Sequence, residues 1–201
     1  MGLAGVILAA GESTRMGRDK ALLPWPPEDP SETLLSAAIG ALSPFCDMVL
    51  VVAGKNEAKL RPVVDGCAGF LVVNAGAERG QFSSLQVGLQ EVLNRGRDTA
   101  MVTHVDRPPP STPTLTKLIS EFEGRSRNIW AVVPEFQGKH GHPILIGREM
   151  IAAFLKAPEN ASAREIEHAH ESKIAFVTVD DQRVTLNFNA PEDYAAAFDL
   201  P

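Results

Sequence analysis

The stretch from Val6 to Lys20 limits most strongly what this chain of 201 residues can fold into. It begins with apolar residues that do not alternate with polar ones, which is typical of a central parallel strand covered on both faces. Small residues follow, and then Arg15, Arg18 and Lys20 lie within six positions. Exposed N–H groups in such a loop, beside two guanidinium groups and an ammonium, favour a polyanionic ligand. A surface loop with scattered basic residues is the alternative, and composition alone does not decide between the two.

The rest of the composition indicates a globular protein. Hydrophobic residues make up 44% of the chain, enough for a substantial core. The net charge of −6 argues against nucleic-acid binding, because nucleic-acid-binding domains usually carry a basic surface. Cys46 and Cys67 are too few and too far apart for a disulfide scaffold or a zinc knuckle, so we expect buried free thiols in a reducing cytosol. We see neither a secretory signal nor an apolar run of ~18 residues, and we expect a cytoplasmic protein that does not bind membranes.

Strands and helices alternate along most of the chain. The apolar pattern predicts strands over 5–9, 47–53, 70–74, 99–105, 130–134, 144–146, 173–179 and 184–188. It predicts helices over 33–42, 56–64, a segment capped by Ser83 or Ser84 that ends near 93, 113–122, 150–155, a segment that begins with a capping box at 162–165, and 191–198. This alternation predicts an α/β fold with a mostly parallel central sheet and helices on both faces. We expect one domain over residues 1–201, with ligands beyond the carboxyl ends of the strands.

Several polar residues allow two interpretations from the pattern alone. Asp106 ends an apolar strand, where it could hold a hard cation or begin the proline-rich turn that follows. The pairs His140/His142 and His168/His170 are spaced as His-x-His, but no Cys or Glu lies at metal-ligand spacing, so we do not expect a zinc site. His104 is expected to be a strand-end residue.

The opening motif, L-A-A-G-x-S-x-R-M-G-x-x-K, resembles the signature of the MobA-like nucleotidyltransferases, the family of the molybdenum cofactor guanylyl- and cytidylyltransferases. The matching residues are Leu8, Ala9, Ala10, Gly11, Ser13, Arg15, Met16, Gly17 and Lys20. The motif is not a Walker A loop, because no Gly-Lys-Ser/Thr follows the glycines. The resemblance implies a three-layer Rossmann-like nucleotidyltransferase fold. It also implies that a nucleotide binds to Leu8, Ala9, Ala10, Gly11, Ser13, Arg15 and Lys20.

Two further motifs resemble the metal-binding segments of this family. Asp106-Arg107-Pro108 is similar to an Asp-x-Pro motif whose aspartate binds Mg²⁺, although Arg107 departs from the usual Gln or Met. The segment 187–193 is similar to a late motif that completes the metal site, which implies Asn187 or Asn189 as the second ligand. Ala190 replaces the usual Thr there. By themselves, both asparagines are equally typical of a turn that caps the last helix.

Two glycine-bearing segments resemble the substrate-binding loops of the family. The segment 80–85 is similar to one that contacts the base and ribose, which implies nucleotide contacts for Ser83 and Ser84. Without the resemblance, simple helix capping is the preferred interpretation. The segment 138–143 is similar to G-x-x-G-H-P, which lies near the acceptor and implies that Gly141 and His142 bind it.

Together these resemblances imply a Mg²⁺-dependent nucleotidyltransferase. It transfers NMP from an NTP, with CTP favoured, to a phosphorylated acceptor such as molybdopterin, and it releases pyrophosphate. Arg15, Lys20 and Asp106 are the implied catalytic residues, and the implied partner is a molybdoenzyme or a cofactor-maturation protein. One alternative is a cytidylyltransferase for methylerythritol phosphate or a sugar phosphate. Another, of a different class, is a non-catalytic nucleotide-binding regulator or cofactor chaperone. An oxidoreductase is disfavoured because the dinucleotide-binding glycine spacing is missing.

Overall fold

The computed structural model describes residues 2–26, 29–158 and 160–196. Within these residues, eight strands form one sheet in the order β3-β2-β1-β4-β7-β5-β6, and β8 also pairs with β5. The strands are β1 Leu3–Leu8, β2 Met48–Ala53, β3 Phe70–Val73, β4 Thr99–His104, β5 Ala131–Phe136, β6 Lys139–His140, β7 Ile144–Ile146 and β8 Ile174–Thr178. The helices are α1 Leu34–Leu42, α2 Glu57–Gly66, α3 Gln81–Asn94, α4 Thr112–Gly124, α5 Arg148–Lys156, α6 Ala163–Ala169 and α7 Pro191–Ala195.

The strand directions confirm a mostly parallel sheet. β1 pairs in parallel with β2 and β4, and β2 pairs in parallel with β3. β7 lies antiparallel between β4 and β5, so β5 and its parallel partner β8 run in the same direction as β1. Of the strands described, β6 and β7 alone run in the opposite direction. The carboxyl ends of β1 and β4 therefore meet at one edge of the sheet.

Helices cover both faces of the sheet, as predicted. α1, α2 and α4 pack on one face in a cluster that includes Ile7 of β1. α3 and α5 pack on the other face, in a cluster that includes Val6. Every residue of β1 is buried, which explains its unbroken apolar sequence. Gly88 lets α3 approach the sheet closely, because a Cβ at this position would lie 2.9 Å from γ carbons of Val6 and Val52.

The predicted helix cap at Ser83 or Ser84 is wrong. α3 begins at Gln81, and its N-cap is Gly80, whose φ of 99° lies in the region that favours glycine. Ser83 and Ser84 lie inside the first turn with buried side chains that both accept hydrogen bonds from Asn74. The side chain of Asn74, the residue that follows β3, thus binds the hydroxyl groups that the sequence pattern assigned to a helix cap.

The predicted strand over 184–188 is also wrong. Residues Gln182–Thr185 form a 3-10 turn that follows β8. Asp181 Oδ1 accepts a hydrogen bond from the N–H of Arg183 at 3.1 Å, and Thr185 Oγ1 donates to the Gln182 carbonyl oxygen at 3.0 Å. These local side-chain bonds stabilise a turn in place of a strand.

The predictions for the α6 capping box, the two cysteines and the last helix were confirmed in part. The capping box at Ser162 and Glu165 is confirmed at the start of α6. Cys46 and Cys67 are free thiols, as expected, but both are half-buried rather than buried. The last helix begins at Pro191 as predicted, and its predicted end at residue 198 lies outside the described residues. None of the helices in the described ranges has the length and hydrophobicity needed to span a membrane.

Candidate active site

The loop after β1 closes into a compact turn at the carboxyl edge of the sheet. The N–H of Lys20 donates a hydrogen bond to Ser13 Oγ at 3.1 Å, which joins the two ends of the loop. Ser13 adopts a left-handed backbone with φ at 50°, which costs energy for a residue that carries a Cβ. The N–H groups of Ala10 and Gly11 have no acceptor among the described residues. The loop therefore offers unused backbone donors beside its basic side chains.

The side chain of Asn56 braces this loop. Its Nδ2 donates to the Ala9 carbonyl oxygen at 2.9 Å and to Asp19 Oδ2 at 2.8 Å, and its Oδ1 accepts from the N–H of Gly54 at 3.0 Å. Both parts of the loop are thus tied to the connection between β2 and α2. From the sequence alone, Asn56 is not recognisable as a site residue. Its one signal was a position at the start of a predicted helix, which indicates a cap rather than a brace.

Lys20 and Asp106 form an ion pair in which Lys20 Nζ lies 3.1 Å from Asp106 Oδ2. The residues are 86 positions apart in the chain, and the parallel pairing of β1 with β4 brings them together. Their side chains are 12% and 22% exposed, so water screens the attraction less than at an open surface. Asp106 Oδ1 has no hydrogen-bond partner in the described part of the chain. The Asp106 carboxylate can therefore pair with Lys20 through Oδ2 and contact a ligand through Oδ1.

The segment before α7 adds Asn189 to this site. The N–H of Phe188 donates to the carbonyl oxygen of Asp106 at 2.8 Å, which fixes the segment beside β4. Asp193 Oδ2 accepts hydrogen bonds from the N–H groups of Asn189 and Ala190 at 2.8 and 2.9 Å. Asp193 thus ties the segment before α7 to the first turn of that helix, although Ala190 has no hydroxyl group to accept a hydrogen bond in return.

Two adjoining cavities form a groove along this edge. A cavity of about 160 Å³ brings together Arg15, Lys20, Asp106 and Asn189. The other has a volume of about 210 Å³ and extends toward the start of α3. Its lining includes Ala10, Gly80 and Ser84, and it shares Leu8, Gly11 and Gln81 with the first cavity. Ser13 lines the first cavity, whereas Ala9 lies beneath the groove and donates its N–H to the Val52 carbonyl oxygen at 2.8 Å. The groove therefore connects the basic loop to the start of α3.

The predicted serines differ in their access to the groove. Asn74 Nδ2 donates to Ser83 Oγ at 2.9 Å and to Ser84 Oγ at 3.0 Å. Ser83 Oγ also donates to the Gly80 carbonyl oxygen at 2.7 Å, whereas Ser84 lines the cavity beside α3. Ser84 is thus the better placed of the two for contact with a ligand. From the sequence alone, Asn74 cannot be distinguished from an ordinary residue at the end of a strand.

The oxygen donors at this site fit a hard cation. Asp106 contributes a carboxylate and Asn189 an amide to the same cavity. Such an ion needs few protein oxygens, because water and phosphate oxygens complete its coordination. Asn187 does not line this cavity, and its Oδ1 is buried without a partner among the described residues. Across residues 2–26, 29–158 and 160–196, no group of three His, Cys, Asp or Glu side chains is placed to hold a metal ion.

Two neutral histidines separate the groove from a third cavity. Gln81 Nε2 donates a hydrogen bond to His104 Nδ1, and the rings of His104 and His142 pack edge to face with centroids 4.5 Å apart. Burial, with a smaller contribution from the charge of Arg107, lowers the pKa of His104 to about 4. Burial also holds the pKa of His142 well below its usual value. His104 ends β4, as expected, and positions Gln81 at the junction of the groove.

The predicted acceptor residues line this third cavity, which has a volume of about 510 Å³. The N–H of Gly141 donates to the Pro134 carbonyl oxygen at 2.8 Å, and that of His142 donates to the Val184 carbonyl oxygen at 2.8 Å. Arg107 also lines the cavity and directly follows Asp106 in the chain. The cavity is therefore next to the groove but has its own lining.

Comparisons with known proteins agree with this architecture. Residues 5–174 match the family model of the MobA-like NTP transferase domain. The molybdenum cofactor cytidylyltransferase of Escherichia coli K12 is 26% identical over 195 residues, which cover 96% of this chain and 93% of that protein. A probable molybdenum cofactor guanylyltransferase of Mycobacterium avium is 35% identical over 141 residues, which cover 63% of this chain and 66% of that protein.

Solved structures share the fold. The crystal structure of Rv0371c from Mycobacterium tuberculosis H37Rv has a TM-score of 0.82 at 25% identity, and the match covers 99% of this chain and 98% of that one. A structure of Rv0371c in complex with manganese has a TM-score of 0.76 at 21% identity and covers 100% of both chains. This chain therefore shares its open sheet, with helices on both faces, with Rv0371c.

Proposed function

The chain belongs to the MobA-like NTP transferase family, and from this membership we propose that it transfers NMP from an NTP to a phosphorylated acceptor and releases pyrophosphate. The observation that carries the proposal is the 3.1 Å ion pair between Lys20 and Asp106 in the groove of the first loop. The pair brings together the Lys20 ammonium group, which suits a triphosphate, and the Asp106 carboxylate, which suits a divalent metal ion.

In the proposed reaction, an acceptor phosphate oxygen attacks the α-phosphorus of the NTP in line with the bond to the β-phosphate. The new P–O bond forms as that bond breaks, and the electron pair leaves with pyrophosphate. Arg15 and Lys20 neutralise charge on the phosphate oxygens, and the N–H groups of Ala10 and Gly11 donate hydrogen bonds to them. Positioning and charge stabilisation suffice for such a transfer, so no protein nucleophile takes part.

Asp106 and Asn189 are the residues that we propose to hold a divalent cation such as Mg²⁺. When bound, such an ion supplies positive charge to the α-phosphate and to the leaving group. Support comes from the oxygen donors of the groove and from the relative Rv0371c, which has been solved with manganese. Asn187 is the alternative second ligand, and its partnerless Oδ1 is the reason to test it.

CTP is the proposed nucleotide, and a molybdopterin-like phosphate is the proposed acceptor. The E. coli cytidylyltransferase supports CTP because its match extends over nearly the whole of both chains. Both curated relatives act on the molybdenum cofactor, which favours this acceptor over methylerythritol phosphate. In this proposal the base and ribose lie beside Ser84, and the product passes to a molybdoenzyme or a cofactor-maturation protein.

A nucleotide panel tests this function. CTP, GTP, ATP and UTP are each added with and without Mg²⁺, and the melting temperature is recorded before pyrophosphate release is measured with molybdopterin. We expect the largest Mg²⁺-dependent stabilisation with CTP, and pyrophosphate release when CTP and acceptor are both present. A preference for GTP would contradict the proposed base. Nucleotide binding without pyrophosphate release would contradict the transfer and favour the non-catalytic nucleotide-binding protein.

A further inference from the structure

The cavity of about 510 Å³ contains two polar groups that the proposed transfer does not use. Glu167 of α6 is half-buried and has no hydrogen-bond or ion-pair partner among the described residues, and burial raises the pKa of its carboxyl group. His142 Nδ1 is buried and likewise lacks a partner in that part of the chain. Polar groups removed from water in this way cost free energy unless a ligand satisfies them.

The lining of the cavity suits a ring with an apolar face and one polar edge. Its floor is apolar and is formed by side chains of adjacent strands, namely Val133, Ile144, Ile174 and Phe176. One wall is the face of α6 that presents Arg164, Glu167 and His168, because residues three and four positions apart share a helix face. The volume lies within the range of small-molecule sites in proteins.

We propose that this cavity binds the heterocycle of the acceptor and that the Glu167 carboxylate accepts hydrogen bonds from two adjacent N–H groups on the ring edge. The inference rests on the proposed function, because it takes the acceptor to be a pterin phosphate. A 2-amino-4-oxopterin presents its ring N3–H and its 2-amino group side by side. Two parallel N–H donors match the two oxygens of one carboxylate, which gives strong and directional binding.

The position of Arg107 fits the phosphate arm of such an acceptor. Arg107 lines the cavity and directly follows Asp106, so an arm that reaches from the cavity toward the groove passes its guanidinium group. Its Nη1 donates to the Leu186 carbonyl oxygen at 3.3 Å, which holds the side chain in place. This gives a role in acceptor recognition to the residue that departs from the usual Asp-x-Pro motif.

A pair of matched ring compounds tests the proposal directly. 6-Carboxypterin and 6-carboxylumazine both carry an anionic group, but lumazine has an oxygen in place of the 2-amino group. Binding of each to the full chain at pH 7 is measured by equilibrium dialysis without nucleotide. We expect wild-type protein to bind the pterin at least about tenfold more tightly than the lumazine, because a carboxylate repels the C2 oxygen.

The matched variants are Glu167→Gln and Glu123→Gln. Glu123 is an exposed glutamate on α4, which covers the opposite face of the sheet. We expect Glu167→Gln to weaken pterin binding about ten- to hundredfold and to abolish the preference over lumazine, and Glu123→Gln to bind as wild type does. Thermal denaturation confirms that both variants fold.

The outcomes separate this inference from the proposed function. Unchanged pterin binding by Glu167→Gln, or no discrimination by wild-type protein, would overturn the inference even where NTP stabilisation and pyrophosphate release are intact. Glu167-dependent pterin binding by a protein that releases no pyrophosphate would support the site while overturning the transfer reaction.

Discussion

The N–H of Phe188 donates a hydrogen bond to the carbonyl oxygen of Asp106 at 2.8 Å. This bond joins the residues after β4 to the segment before α7. It follows that Asn189 lines the same cavity as Asp106 and Lys20, although it lies on a late segment of the chain. A backbone hydrogen bond therefore assembles the proposed cation site. Substitution of the Asp106 or Asn189 side chain leaves this bond in place.

Replacement of Asn189 by Ala should raise the Mg²⁺ concentration needed for half-maximal pyrophosphate release by roughly tenfold or more, because one oxygen ligand is removed. The backbone bond to Asp193 does not need the side chain, so the local structure should remain. Asn187→Ala is the matched control and should leave the Mg²⁺ requirement unchanged. The reverse result for the two variants would reassign the ligand to Asn187.

Asn56→Ala should destabilise the protein by about 1–3 kcal/mol, because it removes three hydrogen bonds that tie the first loop to the β2–α2 connection. Urea denaturation measures this loss, and kcat/KM for the NTP should fall with it as the loop loosens. Lys55→Ala is the control, since it removes an exposed ion pair with Glu12 and should change stability little. Equal losses of stability in Asn56→Ala and Lys55→Ala would contradict the bracing role of Asn56.

Stability should fall as the pH is lowered from about 6.5 toward 4. Burial lowers the folded-state pKa of His104 to about 4 and that of His142 well below its ordinary value. Between the unfolded-state pKa near 6.5 and the folded-state values, the unfolded chain binds more protons, so acid favours unfolding in this window. The midpoint of urea denaturation should therefore decrease between pH 7 and pH 4, and it should decrease less steeply in His104→Asn. An unchanged slope in the variant would exclude His104 as a source.

Gly141→Ala should destabilise the fold by about 2–4 kcal/mol, because the new Cβ would lie 2.3 Å from the Val184 carbonyl oxygen. The same substitution at Gly40 in α1 meets no atom within 4 Å and should stabilise the helix by up to about 1 kcal/mol. Melting temperatures of the two variants should therefore move in opposite directions. An unchanged or raised melting temperature for Gly141→Ala would show that the loop relaxes, and a lowered one for Gly40→Ala would contradict the predicted stabilisation of α1.

Local sequence patterns predicted a mostly parallel sheet and most of its strands, and the resemblance to the family implied that Lys20 and Asp106 belong to one site. Unbroken apolar runs identify buried parallel strands, and the carboxyl ends of such strands share an edge. The ion pair between Lys20 and Asp106 is the direct structural result of that rule. The expectation of one domain over 1–201 remains a prediction.

The missed residues depend on contacts between distant parts of the chain. Asn56, Asn74 and Gln81 each use an amide side chain to hold another segment, and no local pattern distinguishes such an amide from a cap or a surface residue. The two wrong elements have the same cause. Asn74 donates hydrogen bonds to the hydroxyl groups of Ser83 and Ser84, and side-chain bonds at Asp181 and Thr185 stabilise a turn where the apolar pattern predicted a strand.

The most direct test of the account is pyrophosphate release by Lys20→Ala and Asp106→Ala, each compared with an exposed residue of the same type on α2, Lys59→Ala and Asp65→Ala. If both side chains act on one triphosphate, each site variant should lose about 10²–10³ in rate while its control retains the wild-type rate. Wild-type turnover in either Lys20→Ala or Asp106→Ala would contradict the central claim.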